Sequence, residues 1–227
     1  MIRQIALLTL RDDAAAEDVT GLEEALETAA STTAGIAESQ AARHLEGSLC
    51  AHYTWDAALE GPTAPPLDEL LSAPALAGYF SLAGESTLVS GVDAVRFAPQ
   101  DGRVRDPGIR HCIKRTLFVR VFPETAPDLL ERFEADIMRM PDYIPSIRNW
   151  AFSRTDPRLQ PTRWTHVWEQ EYDNLAGLQA EYMLSPFHWG LIDGWFDPEC
   201  PQRIVENRFA HVFCEADSSV LAWSEPR

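Results

Sequence analysis

Positive charge is scarce in this chain: 19 Lys and Arg stand against 35 Asp and Glu in 227 residues, for a formal net charge of −16. An acidic surface repels phosphate backbones and anionic headgroups, and no local run of basic residues reverses the sign. Nucleic acid and membrane surfaces are therefore poor partners. Long apolar runs are also missing. No segment reaches the eighteen or so apolar residues of a membrane span. The opening residues, MIRQIALL, lack the length and small-residue cleavage site of a signal peptide, and the cytoplasm is the default location. Cysteine is sparse. Cys50, Cys112, Cys200 and Cys214 show no C-x-x-C spacing, which argues against a zinc site and against a disulfide framework. The acidic clusters Glu23-Glu24 and Glu169-Gln170-Glu171 have no histidine at ligand spacing on a shared helix, so no metal is expected. Phosphate-binding glycine loops are absent too, since Gly102 and Gly108 sit in a breaker-rich stretch.

Apolar and aromatic residues are plentiful. The hydrophobic fraction is 45%, with seven Trp and ten Phe, enough to bury a sizeable core. The length suits two small domains or one of middle size.

The pattern of elements repeats. Residues 2–10 and 113–121 are β-rich runs, each followed by a helix with apolar residues at three-to-four spacing. The first helix spans about 17–30 with Val19, Leu22 and Leu26; the second spans about 126–140 with Leu129, Leu130, Phe133, Ile137 and Met140. Pro127 fits its first turn. Second strands follow at about 35–44 and 147–153, and third strands at about 48–55 and 163–171. Second helices follow at about 67–80 and 174–195, then closing strands at about 92–97 and 208–214. The order is β-α-β-β-α-β twice, two tandem ferredoxin-like α+β units. Helices cover one face of such a sheet and leave the other in need of a partner, which a fused second unit supplies as an intrachain α+β barrel pseudo-dimer. The expected division is 1–104, 111–217 and a C-terminal tail at 218–227, with the polar stretch 100–108 as linker.

Chemistry-bearing residues concentrate in the second half. On its third strand, alternation puts Trp164, His166, Trp168 and Gln170 on one face. His166 reads as a proton-handling group in a dry pocket or as a core histidine satisfied by one hydrogen bond. The segment Tyr182-Met183-Leu184-Ser185-Pro186-Phe187-His188 lies in the second helical region. Pro186 cannot donate a backbone hydrogen bond and disfavours helical geometry at Ser185, so the helix breaks there. The break re-aims His188, which faces a cavity shared with Tyr182 or else only caps a helix end. Trp150, Trp164, Trp168, Trp189 and Trp195 all fall in this half and fit an apolar pocket. In the first half, Leu70 and Leu76 stand where Tyr182 and His188 stand in the second. Ala51-His52-Tyr53 there aligns with Thr165-His166-Val167.

These residues resemble the stress-responsive dimeric α/β barrel (Dabb) family, whose members carry Tyr-x-x-His-Pro-x-His in the second helix and often Thr-His on the third strand. Tyr182, Ser185, Pro186 and His188, with Thr165-His166, match that pattern. Ser185 departs from it, standing where the family has a histidine. The resemblance extends over both halves and in the second half is nearest to the family's plant polyketide cyclases, of the olivetolic acid cyclase type. It implies a cofactor-independent lyase or cyclase with His188 as acid–base group, Tyr182 as its partner and His166 on the strand. A further first-strand histidine of those enzymes falls near Arg115. The expected substrate is an apolar or aromatic small molecule, polyketide-like, lying among Trp164, Trp168, Trp189, Phe187 and Arg115. The competing readings are a non-enzymatic small-ligand-binding barrel and, more weakly, a haem-binding or oxygenase-type relative in which His166 or His188 is the axial ligand. A homodimer of the fused chain is the expected assembly.

Overall fold

A computed structural model describes residues 1–60, 65–80 and 87–224. The chain divides into two compact units, one of residues 1–99 with 156–162, the other of 100–155 with 163–227. Both are α+β and ferredoxin-like. In the first, β1 (Ile2–Leu10), α1 (Ala16–Thr32), β2 (Ile36–Arg43), β3 (Tyr53–Leu59), a short α2 (Leu67–Leu71) and β4 (Val89–Phe97) form a four-stranded sheet in the order β2-β3-β1-β4. In the second, β6 (Arg110–Val119), α3 (Pro127–Tyr143), β7 (Asn149–Arg154), β8 (His166–Tyr172) and β9 (Ala210–Ser218) repeat that order as β7-β8-β6-β9. All neighbouring strands are antiparallel.

The two units correspond in detail. The helices α1 and α3 have 17 residues each and start 111 positions apart. Alternation turns Ala6, Leu8, Leu10, Tyr53, Trp55 and Ala94 to the helix side of the first sheet, where Leu22, Leu26 and Ala29 of α1 join them in one core. On the opposite face of β1, buried Arg3 donates to Asp56 on β3 from Nε at 3.1 Å and from Nη2 at 2.5 Å. The matching position on β6 holds Lys114, the only lysine in the chain, whose Nζ lies 2.9 Å from Glu169 Oε1 on β8, both almost fully buried. A buried charge needs a counter-charge or hydrogen bonds to offset its lost hydration, and each unit supplies a counter-charge at the same place.

Three expectations are corrected. The linker stretch contains β5 (Asp101–Val104), which pairs antiparallel with β7 as an edge strand of the second sheet. Gly102 has to be glycine there, because a Cβ would meet the Trp150 carbonyl oxygen at 2.5 Å. The third strand of the first unit starts at Tyr53; Cys50 and Ala51 before it have φ of 72° and 55°, left-handed values that a strand cannot hold. Residues 218–227, expected as a tail, begin with an anchor. The Ser219 hydroxyl donates to Glu171 Oε2 at 2.7 Å, and the Val220 and Leu221 amides donate to Oε1 at 2.7 and 3.0 Å. Asn149 Nδ2 adds a fourth donor to Oε2 at 2.7 Å.

Candidate functional site

The site begins at the broken second helix of the second unit. Two wide, π-type segments replace a regular helix: Gly177–Tyr182 and His188–Ile192, followed by a 3₁₀ turn at Asp193–Trp195. Between them the chain interrupts at Ser185, as expected from Pro186. The Ser185 amide bonds the Tyr182 carbonyl at 3.2 Å, and the helix resumes when the Trp189 amide reaches the Ser185 carbonyl at 3.1 Å. Wide turns of this kind insert extra backbone per turn and recur at functional sites. Here they put Tyr182 at the end of one segment and His188 at the start of the next. The two rings lie 4.3 Å apart, inclined at 51°.

Arg115, on the helix-facing side of β6, completes the group. Its guanidinium carbon is 4.9 Å from the centre of the Tyr182 ring. Its Nε donates to His211 Nε2 on β9 at 2.7 Å, and its Nη1 donates to Gln170 Oε1 on β8 at 2.6 Å. Tyr172, also on β8, meets the Tyr182 ring edge-on at 6.1 Å. The result is a polar group of buried Arg115, Gln170, Tyr172, Tyr182 and His188 with half-buried His211, and Asp193 Oδ1 lies 3.6 Å from His188 Nε2. Within it, the side-chain atoms His188 Nδ1, Gln170 Nε2 and Tyr172 OH have no hydrogen-bond partner. Buried polar atoms are rarely left without partners, and these three gather in one cluster.

Electrostatics fixes the protonation states. Burial, reinforced by the nearby Arg115 charge, holds the His188 imidazole at about 4. Burial, then Arg115 and His188, hold His211 lower still, at about 3. Both rings are neutral near pH 7. Burial raises the Tyr182 phenol, with Arg115 pulling the other way, so it stays protonated. In the first unit His44 is likewise held at about 4, chiefly by burial. As pH falls below the ordinary histidine value of 6.5 the unfolded chain takes up protons that the folded chain refuses, so stability is lost from about 6.5 down to about 4. Glu134, held at about 2, adds to the loss only below its usual 4.5. The expected result is a urea midpoint that declines steadily from pH 6.5 to 4.5; a flat midpoint across that range contradicts these assignments.

His166 is not brought to this group. Its Nδ1 lies 2.8 Å from the Thr165 hydroxyl and its Nε2 3.0 Å from Glu134 Oε1 on α3, while its ring stacks on Phe152 at 5.2 Å. Four strand positions separate it from Gln170, roughly 13 Å. The first unit explains the role. Leu8 there pairs with Tyr53 as Val119 pairs with His166, and the Tyr53 hydroxyl donates to Glu23 at 2.7 Å. Glu23 and Glu134 are 111 positions apart, like the helices that carry them. Tyr53, not His52, is therefore the counterpart of His166, a correction of one residue. His52 instead matches Thr165: its Nδ1 accepts from the Leu10 amide as the Thr165 hydroxyl accepts from the Val121 amide, both at 2.9 Å.

The aromatic wall also differs from expectation. Trp189 is 61% exposed. Phe187 stacks on Tyr143 at 4.2 Å, and Trp164 packs against Phe118 at 5.9 Å. Trp168 is fully buried on the correct face, two positions from Gln170, with its indole N–H unpartnered. A surface cavity of about 430 Å³ in this unit is lined by Glu134, Phe152 and Arg154, and neither Tyr182 nor His188 is among its walls. In the first unit Leu70 and Leu76 sit in the apolar core, and its larger cavity, about 780 Å³, lies beside His44 and His52. His211 and Gln170 are the site members that sequence reasoning passed over. Strand alternation already put Gln170 on the right face. Among the described residues, no group of three His, Cys, Asp or Glu side chains is placed to hold a metal, and no helix is long and apolar enough to cross a membrane.

Residues 113–208 match the family model of the Stress responsive A/B Barrel Domain, a span that carries Arg115, Tyr182 and His188 but ends before β9. No curated protein matches the chain. Among solved structures, it is similar to an anthrone oxidase-like protein at 11% identity and a TM-score of 0.63, covering 94% of this chain and 90% of that one. A mutant form of chlorite dismutase from Candidatus Nitrospira defluvii is similar at 8% identity and a TM-score of 0.57, over 95% and 91% of the two chains. A candidate monooxygenase from Lactobacillus acidophilus NCFM is similar at 10% identity and 0.53, over 97% and 98%. At these identities the likeness is one of fold.

Proposed function

We propose that the second unit is a cofactor-independent acid–base enzyme, of lyase or cyclase type, that removes a proton next to a carbonyl of an aromatic or polyketide-like small molecule. One observation carries the reading: a neutral imidazole with an unpartnered nitrogen lies against a protonated phenol and a guanidinium in a buried group. With its hydrogen on Nε2, toward Asp193, His188 keeps a free lone pair on Nδ1 and acts as base. The proton passes from the substrate carbon to Nδ1, and the electron pair left behind moves onto the carbonyl oxygen. Tyr182 donates a hydrogen bond to that oxygen, and Arg115 stabilises its charge. Return of the proton from Nδ1 to the product resets the ring.

His166, tied to Glu134 and Thr165, serves in this reading to hold α3 on β8 and does not touch substrate. The matched helix lengths, buried ion pairs and helix–strand links support descent of the two units from one duplicated ancestor. In that history the first unit filled the equivalent of the site with Leu70 and Leu76. The deciding experiment is the pH profile of kcat/KM on a turned-over carbonyl substrate. The expected profile rises through about pH 4, where His188 in the free enzyme loses its proton, and stays level through neutrality. A profile with no ascending limb removes the base, and saturable binding without turnover returns the protein to a ligand-binding barrel.

A further inference from the structure

The buried charge of Arg115 is the least explained feature of this site. Its side chain is almost fully enclosed, yet every partner it has is neutral: His211, Gln170 and the face of Tyr182. Among the described residues no carboxylate lies within ion-pair distance of it. Of the other buried cations, Arg96 likewise has only neutral acceptors, Gln4 Oε1 and the Pro65 carbonyl, both at 2.7 Å, while two are paired with carboxylates. Arg3 has Asp56 and Lys114 has Glu169, each at direct contact. An enclosed guanidinium without a counter-ion is costly unless hydrogen bonds or another source of negative charge offset its lost hydration. Two groups beside it, the Gln170 amide nitrogen and the Tyr172 hydroxyl, are buried donors without acceptors.

We infer that the natural ligand of this site is an anion, a small aromatic or acyl carboxylate, whose oxygens pair with Arg115 and take up the free donors of Gln170 and Tyr172. Carboxylate geometry suits the guanidinium fork, and charge-assisted bonds of this kind are about twice as strong as neutral ones. The inference rests on the acid–base reading of the same site and sharpens it. Arg115 is one cause of the low basicity of His188. An anion bound against Arg115 offsets that charge, so His188 becomes a better base only when substrate is in place. Without such an anion, burial and the Arg115 charge keep His188 a weak base.

Benzoate and benzamide separate the charge from the ring, being close in size and shape. Calorimetric titration of the intact protein at pH 7 is expected to show saturable binding of benzoate and at least about tenfold weaker binding of benzamide. Arg115→Gln should weaken benzoate by about tenfold or more and leave benzamide unchanged, with Arg115→Lys intermediate because it keeps the charge and loses the fork. Equal binding of acid and amide by the wild type overturns the inference whether or not the Arg115 variants fold, as does wild type that binds neither. His188→Ala keeps the two claims apart. It should retain the benzoate preference while losing turnover. Lost turnover without any acid preference sinks the anion and spares the base, and the reverse pattern spares the anion and sinks the base.

Discussion

His188→Ala is expected to lower kcat by roughly a hundred- to ten-thousand-fold on a turned-over substrate, the usual worth of a positioned acid–base group. KM should change little, because the interaction lost is one made chiefly in the transition state. The fold should survive. His188 lies in a wide helical segment whose backbone bonds do not involve its side chain, and its Nδ1 has no partner to lose. Circular dichroism like that of the wild type, together with a kcat at background, is the expected pair of results. Tyr182→Phe is the informative companion. It preserves the ring against Arg115 and His188 and removes only the hydroxyl, so it should cut kcat without the complete loss seen at His188. Wild-type kcat in His188→Ala would leave the polar group with no role in catalysis.

Glu171→Ala is expected to destabilise the second unit by about 3–5 kcal/mol, the largest single effect on stability among the side chains described above. Its carboxylate is fully buried and accepts from Asn149, Ser219, Val220 and Leu221. Two of those donors are backbone amides. Alanine strands all four donors in the interior and also leaves a void. Glu171→Gln should recover little, because its amide turns one accepting oxygen into a donor that meets other donors. Tryptophan fluorescence in urea reads the result, since only Trp55 lies in the first unit. A midpoint shift worth less than about 1 kcal/mol would mean that residues 219–221 are not held by this carboxylate.

The order of elements was legible because each helix carries apolar residues at three-to-four spacing and each strand is rich in β-formers. Alternation and spacing are local properties. The break at Ser185 was legible for the same reason: Pro186 acts on its immediate neighbours. What escaped is non-local. β5 is written in polar, breaker-rich residues that read as linker, and only its pairing with β7 makes it a strand. His211 reaches Arg115 because β9 and β6 are adjacent in one register, which places Arg115 opposite Phe213 and His211 opposite Leu117. Nothing near His211 in the chain announces that neighbour. Trp189 was assigned to the pocket on composition, but composition does not say which side of a widened turn a residue takes. The alignment of His52 with His166 failed by one position because two histidines invite matching by type. The positions themselves are set by which residue faces the helix.

The central claim is that a buried, neutral His188 shares one cluster with Tyr182 and Arg115. Nitrogen-15 chemical shifts of the His188 ring, assigned by comparison with His188→Ala and followed from pH 8 to pH 4, test it most directly. The claim expects one neutral tautomer with hydrogen on Nε2 throughout, protonation beginning only as the pH approaches about 4, and a titration moved upward in Arg115→Gln. A ring that titrates near 6.5 and does not respond to Arg115 would contradict it.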